Sequence, residues 1–290
     1  MGPKLLVLGA TGQVGFELAR SLSVLGEVEA VDRSRADFTR PEELVALVWN
    51  RRPAMVLNAV AYTAVDRAEM EAEAAQQVNA NAPAILAETC AEIDARLVHF
   101  STDYVFDGTA RAPYDESAVP APLGVYGRTK LAGEAAVIGA DTRHLVLRLA
   151  WVYGPRGKNF MRTMLRLARE GRPLRVVDDQ VGAPSSARAI ADATAHAARQ
   201  LLELPESMGG LYHLGSGGET TWCGFARAIL REAMGADAPE VEAIRSEDFP
   251  TAAERPRYSV LDSGRFRERF GAGLPHWEQQ LGQVAAEMVG

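Results

Sequence analysis

The sequence predicts an α/β fold with a doubly wound parallel sheet and a smaller C-terminal lobe. Short apolar runs alternate with helical patterns through the first half of the chain, and strands that are apolar on both faces require a parallel sheet covered by helices on both sides. A glycine-rich turn joins the first run to the first helical pattern. The alternation changes near residue 150, where we expect the lobe to begin.

Five apolar runs predict strands at residues 5–8, 28–31, 54–58, 96–101 and 144–149. Helical spacing follows the first run through residues 14–25. Pro41 opens another helix at a first-turn position that proline tolerates, and an alanine-rich helix passes through Asn79 and Asn81. This order is typical of Rossmann-type sheets, which bind dinucleotides at the carboxyl ends of their strands.

The pattern after residue 150 is less regular. It predicts a helix at residues 159–170, a strand at 210–214 and a helix capped by Thr220 or Thr221. The late strand indicates that the chain returns to the sheet. We therefore assign residues 1–150 to a dinucleotide-binding Rossmann domain and residues 151–290 mainly to a substrate-binding lobe, with some segments in the sheet.

Composition excludes several classes of function. A chain of 290 residues with 47% apolar residues can bury a large core. Its net charge of −7 argues against binding to nucleic acid or to an anionic membrane, since both need a basic surface. The amino-terminal apolar run is too short for a signal peptide or a membrane span, which predicts a cytoplasmic protein. Cys90, Cys223 and the histidines lack metal-binding spacing, so we expect buried thiols and no metal site.

The turn after the first strand contains Gly9, Gly12 and Gly15. Glycines at this spacing let the backbone turn tightly and approach a diphosphate, and the N-terminus of the following helix attracts its charge. A lone glycine pattern would fit a tight turn or helix packing equally well. Its position between the first strand and the first helix favours a dinucleotide site.

Acidic residues follow the second strand. Asp32 closes that strand, where a carboxylate can bind ribose hydroxyls and favours NADH. Arg33 is either a solvated side chain or a partner for the 2′-phosphate of NADPH, so we expect NADPH or NADH as the cofactor. Asp37 and Phe38 could bracket an adenine, although a turn that enters a helix would also explain the pair.

Tyr126 and Lys130 are the strongest chemical signal in the chain. Residues four apart on a helix share one face, and the sequence holds only three lysines against 28 arginines. A phenol beside an ammonium can donate a proton, because the positive charge lowers the phenol pKa. Thr102 ends the fourth predicted strand at the same edge, where its hydroxyl would polarise a carbonyl. The three residues predict a nicotinamide-dependent reductase; the alternative is that Tyr126 packs on the sheet and Lys130 is solvated.

Longer strings around these residues resemble the extended short-chain dehydrogenase/reductase family. The strings are Gly12-Gln-Val-Gly-Phe-Glu17, Ser101-Thr-Asp-Tyr-Val-Phe-Asp-Gly108 and Val125-Tyr-Gly-Arg-Thr-Lys-Leu-Ala-Gly-Glu134. Within that family the pattern is similar to the dTDP-4-dehydrorhamnose reductases, and the similarity continues to Arg255 and Pro256. This resemblance implies reduction of the C4 ketone of dTDP-4-dehydro-6-deoxy-L-mannose by NAD(P)H, which yields dTDP-L-rhamnose.

The resemblance also implies roles for particular residues. Those expected to line the cofactor are Gly12, Gln13, Val14, Asp32, Asp37, Phe38, Ala61, Tyr62, Thr63, Tyr126 and Lys130. Those expected to face the sugar nucleotide are Thr102, Asp103 and Trp151. Trp151 would stack on a sugar or base, unless it is a core residue. Candidates for the diphosphate of the substrate are Arg156, Lys158, Arg162 and Arg255, each of which could instead be a surface charge.

Some members of this family form a dimer around magnesium held by three glutamates. Glu17 and Glu287 match two of those positions, whereas Arg188 occupies the third. We therefore expect no magnesium. Our hypothesis is that Arg188 pairs with Glu17 or Glu287 across a metal-free homodimer interface.

Two other functions are compatible with the pattern. A sugar-nucleotide epimerase or dehydratase shares the fold and the tyrosine and lysine pair, but a 4,6-dehydratase would carry a second acid where this chain has Tyr104. A noncatalytic regulatory subunit resembling that of methionine adenosyltransferase also shares the fold. The intact Thr102, Tyr126 and Lys130 favour an enzyme.

Overall fold

The computed structural model describes residues 2–140, 143–203 and 209–289. Its strands are β1 (Lys4–Leu8), β2 (Glu27–Val31), β3 (Met55–Asn58), β4 (Arg96–Thr102), β5 (His144–Leu149), β6 (Val152–Tyr153), β7 (Leu174–Val177), β8 (Val181–Gly182), β9 (Ser185–Ser186), β10 (Gly210–His213), β11 (Thr220–Thr221) and β12 (Val241–Ile244). Its α-helices are α1 (Gln13–Ser21), α2 (Pro41–Arg51), α3 (Val65–Ala68), α4 (Ala72–Gln76), α5 (Ala82–Glu92), α6 (Val125–Gly139), α7 (Phe160–Arg169), α8 (Ala187–Glu203), α9 (Trp222–Met234), α10 (Gly264–Phe270) and α11 (Trp277–Val289).

Six strands form one parallel sheet in the order β10, β5, β4, β3, β1, β2. The predicted doubly wound parallel sheet is therefore confirmed. β10 pairs with β5, which confirms that the chain returns to the sheet after residue 150. The predicted bounds of these strands agree with the observed ones within one residue, because runs that are buried on both faces are easy to delimit in a sequence.

Two predicted helices are interrupted. The first α-helix ends at Ser21, before the predicted end at residue 25. The helix through Asn79 contains a π-helical segment, Gln77–Asn81. Asn79 is fully buried there, accepts from the amide of Tyr62 and donates to the hydroxyl of Thr129. The π-helical turn thus places a polar side chain between α6 and the loop after β3, a local distortion that helical spacing alone does not predict.

Helices cover both faces of the sheet. One face packs on α1 and α8, and the other packs on α2 and α5. A separate core joins α7, α9 and α11 with the paired strands β7 and β12. This second core supports the assignment of a lobe to the later part of the chain, whose binding of substrate stays a prediction. Within the described ranges, no helix is both long and apolar enough to cross a bilayer.

A buried ion pair fastens α6 to β5. Arg148 and Glu134 are each 2% exposed and form two hydrogen bonds, of 2.9 and 2.7 Å. His213 lies 3.3 Å from the guanidinium, whose Cζ is 5.1 Å from the centre of the Phe106 ring. The bidentate geometry satisfies two charges that would otherwise be costly to bury. The pair therefore holds the helix that carries Tyr126 against the sheet.

We expect Glu134→Leu to lower the free energy of unfolding by about 3–5 kcal/mol, because the Arg148 guanidinium would be left buried without its carboxylate. Urea denaturation followed by circular dichroism measures the change. Glu170→Leu is the matched control, since it removes the carboxylate of an exposed pair with Arg166, and its effect should stay below about 1 kcal/mol. Equal losses in the two variants would contradict a special role for the buried pair.

Candidate active site

A cavity of about 620 Å³ opens at the carboxyl edge of the sheet. It lies between the segments that follow β1, β3, β4 and β5 and the lobe that contains α7 and α9. The predicted site residues that line it are Gly12, Gln13, Val14, Ala61, Thr63, Thr102, Asp103, Tyr126, Lys130 and Trp151. Those outside its lining are Gly9, Gly15, Asp32, Asp37, Phe38 and Tyr62. The fold thus brings the three predicted catalytic residues to one cavity with the start of α1.

The glycine turn is shaped by close backbone contacts. Gly9 has a φ of +90°, a conformation that side chains disfavour. A Cβ atom at Gly15 would lie 2.1 Å from the carbonyl oxygen of Gly9, so glycine is needed for α1 to begin this close to the turn. Gly12 is the N-cap of α1 and makes no side-chain cap, which leaves the first amides of the helix for another acceptor. This cradle fits the diphosphate predicted from the sequence.

Asp32, Asp37 and Phe38 lie along the loop after β2. The hydroxyl and amide of Ser34 donate to Asp32, at 2.6 and 3.0 Å, and lower its pKa. Asp37 pairs with the exposed Arg33 at 3.4 Å. Phe38 is 3% exposed and packs in the core with α2. The burial of its ring favours the alternative of a turn that enters a helix, and a contact of Phe38 with an adenine stays a prediction.

The loop after β3 passes the cavity at Ala61 and Thr63. Between them, the hydroxyl of Tyr62 donates to Glu71 at 2.5 Å. The backbone amide and carbonyl of Tyr62 are both bonded to the side chain of Asn79. Asn79 therefore fixes the path of this loop, and the cofactor contact of Tyr62 stays a prediction.

Lys130 and Thr102 are buried in the wall of the cavity, and Tyr126 is half-buried beside them. Burial raises the pKa of Tyr126 to about 12, and hydrogen bonding with Thr102 offsets only part of this rise. Burial lowers the pKa of Lys130 to about 8, against the opposing charge of Glu134. Lys130 donates to the carbonyl oxygen of Phe100 at 2.5 Å. In this arrangement burial therefore outweighs any lowering of the phenol pKa by Lys130, and the phenol stays protonated at neutral pH.

Asp103 follows Thr102 at the end of β4 and is 2% exposed. Burial raises the pKa of its carboxyl to about 7, and hydrogen bonds with Ser259 and Thr102 offset only part of the rise. The Thr102 hydroxyl donates to Asp103 Oδ1 at 3.1 Å. Near neutral pH this side chain therefore changes between a carboxylic acid and a carboxylate inside the cavity.

Trp151 stacks on Trp222, a residue that the sequence pattern does not single out. The two indoles are inclined by 5° with ring centres 3.6 Å apart, and both line the cavity. Trp151 has a φ of +45°, which is strained for a bulky residue. A Cβ atom at Gly182 would lie 2.3 Å from its ring. The predicted cap at Thr221 locates the start of α9, but only tertiary packing brings the first residue of that helix to Trp151.

Lys158 is the one candidate for the substrate diphosphate that lines the cavity. The others are engaged elsewhere. Arg156 stacks over an aromatic ring, and Arg162 donates to a backbone carbonyl. Arg255 pairs with Asp66 at 2.7 Å.

A hydrogen bond crosses the cleft between the nucleotide turn and the lobe. The amide of Asn159 donates to Gln13 Oε1 at 2.8 Å and to the carbonyl oxygen of Gly154 at 2.8 Å. Its own oxygen caps α7 by accepting from the backbone of Arg162. The first residue of α1 is thus bonded to the N-cap of α7.

Arg188 contacts both glutamates within one chain. Its guanidinium bonds to Glu287 and lies 3.7 Å from Glu17, which also pairs with Arg20 at 2.9 Å. These contacts lie within one chain, and a pair of Arg188 with either glutamate across an interface stays a prediction. Within the ranges that the structure describes, no group of three or more His, Cys, Asp or Glu residues could hold a metal ion. A homodimer stays a prediction.

Comparison with known proteins agrees with this fold and site. The chain matches the RmlD substrate binding domain family over residues 3–289. It is 45% identical to a dTDP-4-dehydrorhamnose reductase of Burkholderia thailandensis, over 99% of both chains. It is 44% identical to the dTDP-4-dehydrorhamnose reductase of Salmonella typhimurium, over 98% of this chain and 97% of that one.

A solved structure supports the same relationship. The dTDP-4-dehydrorhamnose reductase of Bacillus anthracis in complex with NADP superposes with a TM-score of 0.92 at 32% identity, covering 99% of this chain and 100% of that one. The agreement in fold and sequence extends over both the Rossmann sheet and the lobe. The chain therefore belongs to the RmlD substrate binding domain family, in which its curated relatives are dTDP-4-dehydrorhamnose reductases.

Proposed function

We propose that the protein reduces the C4 ketone of dTDP-4-dehydro-6-deoxy-L-mannose to dTDP-L-rhamnose with NADPH or NADH. The observation that carries this proposal is the meeting of Thr102, Tyr126 and Lys130 in a cavity that also reaches the start of α1. Relatives named for this reaction, at 45% and 44% identity, support it. The test is the loss of reduced-nicotinamide absorbance with the enzymatically prepared sugar nucleotide. Binding of the sugar nucleotide without turnover would contradict the proposal.

The glycine cradle fits a nicotinamide dinucleotide. The first amides of α1 would bind its diphosphate, and Asp32 would accept hydrogen bonds from a ribose. Arg33 is 79% exposed and would pair with a 2′-phosphate, which is consistent with the NADP in the Bacillus anthracis relative. Lys130 would donate to the nicotinamide ribose. The cofactor supplies the hydride, and the remaining steps belong to side chains of this chain.

Tyr126 would donate a proton to the C4 oxygen as negative charge develops there. Its raised pKa keeps the proton on the phenol at neutral pH. Thr102 would donate a hydrogen bond to the same oxygen, and the ammonium of Lys130 would favour the phenolate that remains. Tyr126 is a donor beside the cavity when the substrate arrives, whereas Thr102 would turn its one O–H from Asp103 Oδ1 to the substrate oxygen.

The substrate side of the cavity argues against a 4,6-dehydratase. Asp103 is followed by Tyr104, whose ring packs edge-on against Tyr126 with centres 5.8 Å apart, so the position of a second acid is taken by a phenol. The stacked Trp151 and Trp222 offer an apolar face to a base or sugar. A noncatalytic regulatory subunit would need neither this aromatic wall nor a buried proton donor.

We expect Tyr126→Phe to reduce turnover by about 10²- to 10⁴-fold while the Kd for NADPH changes little, because the phenyl ring keeps the packing but has no proton to donate. Steady-state kinetics and NADPH fluorescence measure the two quantities. Tyr212→Phe is the control, since its ring packs in the core of the sheet and its turnover should be retained. Near-normal turnover of Tyr126→Phe would refute the role of Tyr126.

We expect Arg33→Ala to raise the Kd for NADPH by about 10- to 100-fold, because hydrogen bonds to a charged group contribute about 1.5–3 kcal/mol. The Kd for NADH, which has no 2′-phosphate, should change by less than about twofold. Arg35→Ala is a matched control on the same loop, since Arg35 pairs with Glu29. Equal changes in the Kd for NADPH and the Kd for NADH would show that Arg33 does not bind the 2′-phosphate.

We expect Asp103→Asn to stabilise the protein more at pH 8 than at pH 5. The pKa of Asp103 is about 7 in the fold and about 3.9 in an unfolded chain, so stability falls as the pH rises through this window. The loss of folding stability caused by the Asp103 carboxylate is complete above pH 7 and is at most about 4 kcal/mol.

Thermal unfolding at the two pH values measures the difference for Asp103→Asn. Asp107→Asn should instead destabilise the protein to a similar extent at both pH values, because backbone hydrogen bonding from Thr109 lowers the pKa of the Asp107 carboxyl, so this group is fully ionised at pH 5 and at pH 8 in the folded and the unfolded chain. If Asp103→Asn shifts Tm equally at both pH values, the carboxyl of Asp103 is not titrating in this range.

A further inference from the structure

Asn58 and His99 form a buried polar pair behind the cavity. They are register partners on β3 and β4, and they are 1% and 0% exposed. Asn58 Nδ2 lies 3.1 Å from His99 Nδ1, and His99 Nε2 lies 3.5 Å from Lys130 Nζ. Neither Asn58 nor His99 lines the cavity, and the proposed reaction assigns neither a role.

The backbone fixes the polarity of this pair. Val60 donates its amide hydrogen to Asn58 Oδ1 at 3.1 Å, so the carboxamide turns its NH₂ group toward His99. His99 Nδ1 must then accept. Burial lowers the pKa of His99 well below its ordinary value, so the ring is neutral and its single proton is on Nε2. That N–H is directed at the amine of Lys130.

The imidazole N–H favours the uncharged form of Lys130. An ammonium has three donors and no acceptor, so it would meet another donor at His99 Nε2. A neutral amine instead offers its lone pair to that N–H and can still donate to the carbonyl oxygen of Phe100. Burial acts in the same direction and lowers the pKa of Lys130 to about 8.

We propose that Asn58 and His99 are positioning residues that hold Lys130 partly uncharged until the cofactor binds. The part played by the cofactor rests on the proposed function. Phosphates bring negative charge, and ribose hydroxyls can accept from an ammonium, so both favour the protonated amine. In molecules whose Lys130 is uncharged, binding then takes up one proton from solvent at Lys130 Nζ, and no other covalent bond changes.

Other charged and titratable groups do not replace this effect. Those on α6 and on the elements packed against it near Lys130 are His99, Asp103, Tyr104, Tyr126, Glu134 and Arg148. Glu134 raises the pKa of Lys130, but its carboxylate is matched by Arg148. Burial holds Tyr126 and Tyr104 protonated and leaves Asp103 about half protonated at pH 7. Among these groups, His99 is the one that directs an N–H donor at the amine of Lys130 and so disfavours the ammonium.

Nuclear magnetic resonance tests this polarity without any nucleotide. Because the chain holds only three lysines, protein labelled with ¹³C at lysine Cε gives few signals, and Lys130→Arg identifies the relevant one. Nitrogen-15 histidine spectra report which nitrogen of His99 carries the proton. We expect the proton on Nε2 and a titration midpoint of Lys130 near pH 8. If His99 of the wild-type protein carries its proton on Nδ1, the proposal is overturned, and this test needs no Asn58 variant.

Two substitutions of Asn58 should raise the pKa of Lys130. Asn58→Leu frees the imidazole to move its proton to Nδ1, and Asn58→Asp draws the proton there, so in both variants Nε2 accepts from the ammonium. We expect an increase of about one unit or more, toward the ordinary value near 10.4. Burial alone predicts the opposite sign for Asn58→Leu, because leucine makes the site less polar.

Asn81→Asp is the control for these variants. It adds the same charge at an exposed position and should leave the Lys130 signal unchanged. If Asn58→Leu leaves the Lys130 midpoint at the wild-type pH or lowers it, the proposal fails. If Asn58→Asp does not fold, the titration midpoint of Lys130 in Asn58→Leu and the tautomer of His99 in the wild-type protein still test the proposal.

Cofactor affinity provides a second readout. The Kd for NADPH should rise about tenfold per pH unit above pH 8, because binding takes up one proton. In the Asn58 variants this rise should begin at a higher pH. A wild-type Kd that is constant from pH 7 to pH 10 would overturn the proton uptake. Intact pH dependence of NADPH binding without turnover of the sugar nucleotide would contradict the proposed function alone.

Discussion

Parallel pairing of the central strands is the constraint on which the site depends. Parallel strands end at one edge of a sheet, so β1, β3, β4 and β5 deliver their following segments to the same cavity. The register between β3 and β4 sets Asn58 beside His99. A slip of one residue would turn one of these side chains to the other face of the sheet. The hydrogen-bonded pairing of the strands therefore positions these polar side chains as well as those of the core.

The side chains at this edge are shifted toward their uncharged forms. Burial keeps the Tyr126 phenol and much of the Asp103 carboxyl protonated, and it favours loss of the proton from Lys130. Charge is costly where water is excluded, so each of these three groups gives up its charge more readily than it would in water. A bound dinucleotide would bring negative charge into this environment, and the groups beside it would respond by changing their proton occupancy.

The sequence predicted those features that depend on local pattern. Strand bounds were predictable because apolar runs and glycine turns mark them, and Tyr126 and Lys130 were predictable because four residues make about one helical turn. Features that depend on packing between distant segments could not be predicted from the sequence. The burial of Phe38 was not foreseen because a loop residue is buried only when α2 folds over it, and the contacts of Arg188 depend on how α11 meets α8.

The same reasoning explains the missed aromatic and polar partners. Trp222 starts a helix far along the chain from Trp151, and no spacing rule connects them. His99 sits within an apolar strand, where a single histidine indicates nothing about its tautomer. Its polarity follows from an amide hydrogen of Val60, a backbone contact that no composition or periodicity reveals.

The stacked indoles give the molecule an internal optical signal. Trp151 and Trp222 are two of its four tryptophans, and they face each other in the cavity wall. Aromatic rings at this separation are electronically coupled, so half of the indoles of the protein report on the site. Any molecule that slides between or against these rings would change their emission, whether or not a reaction followed.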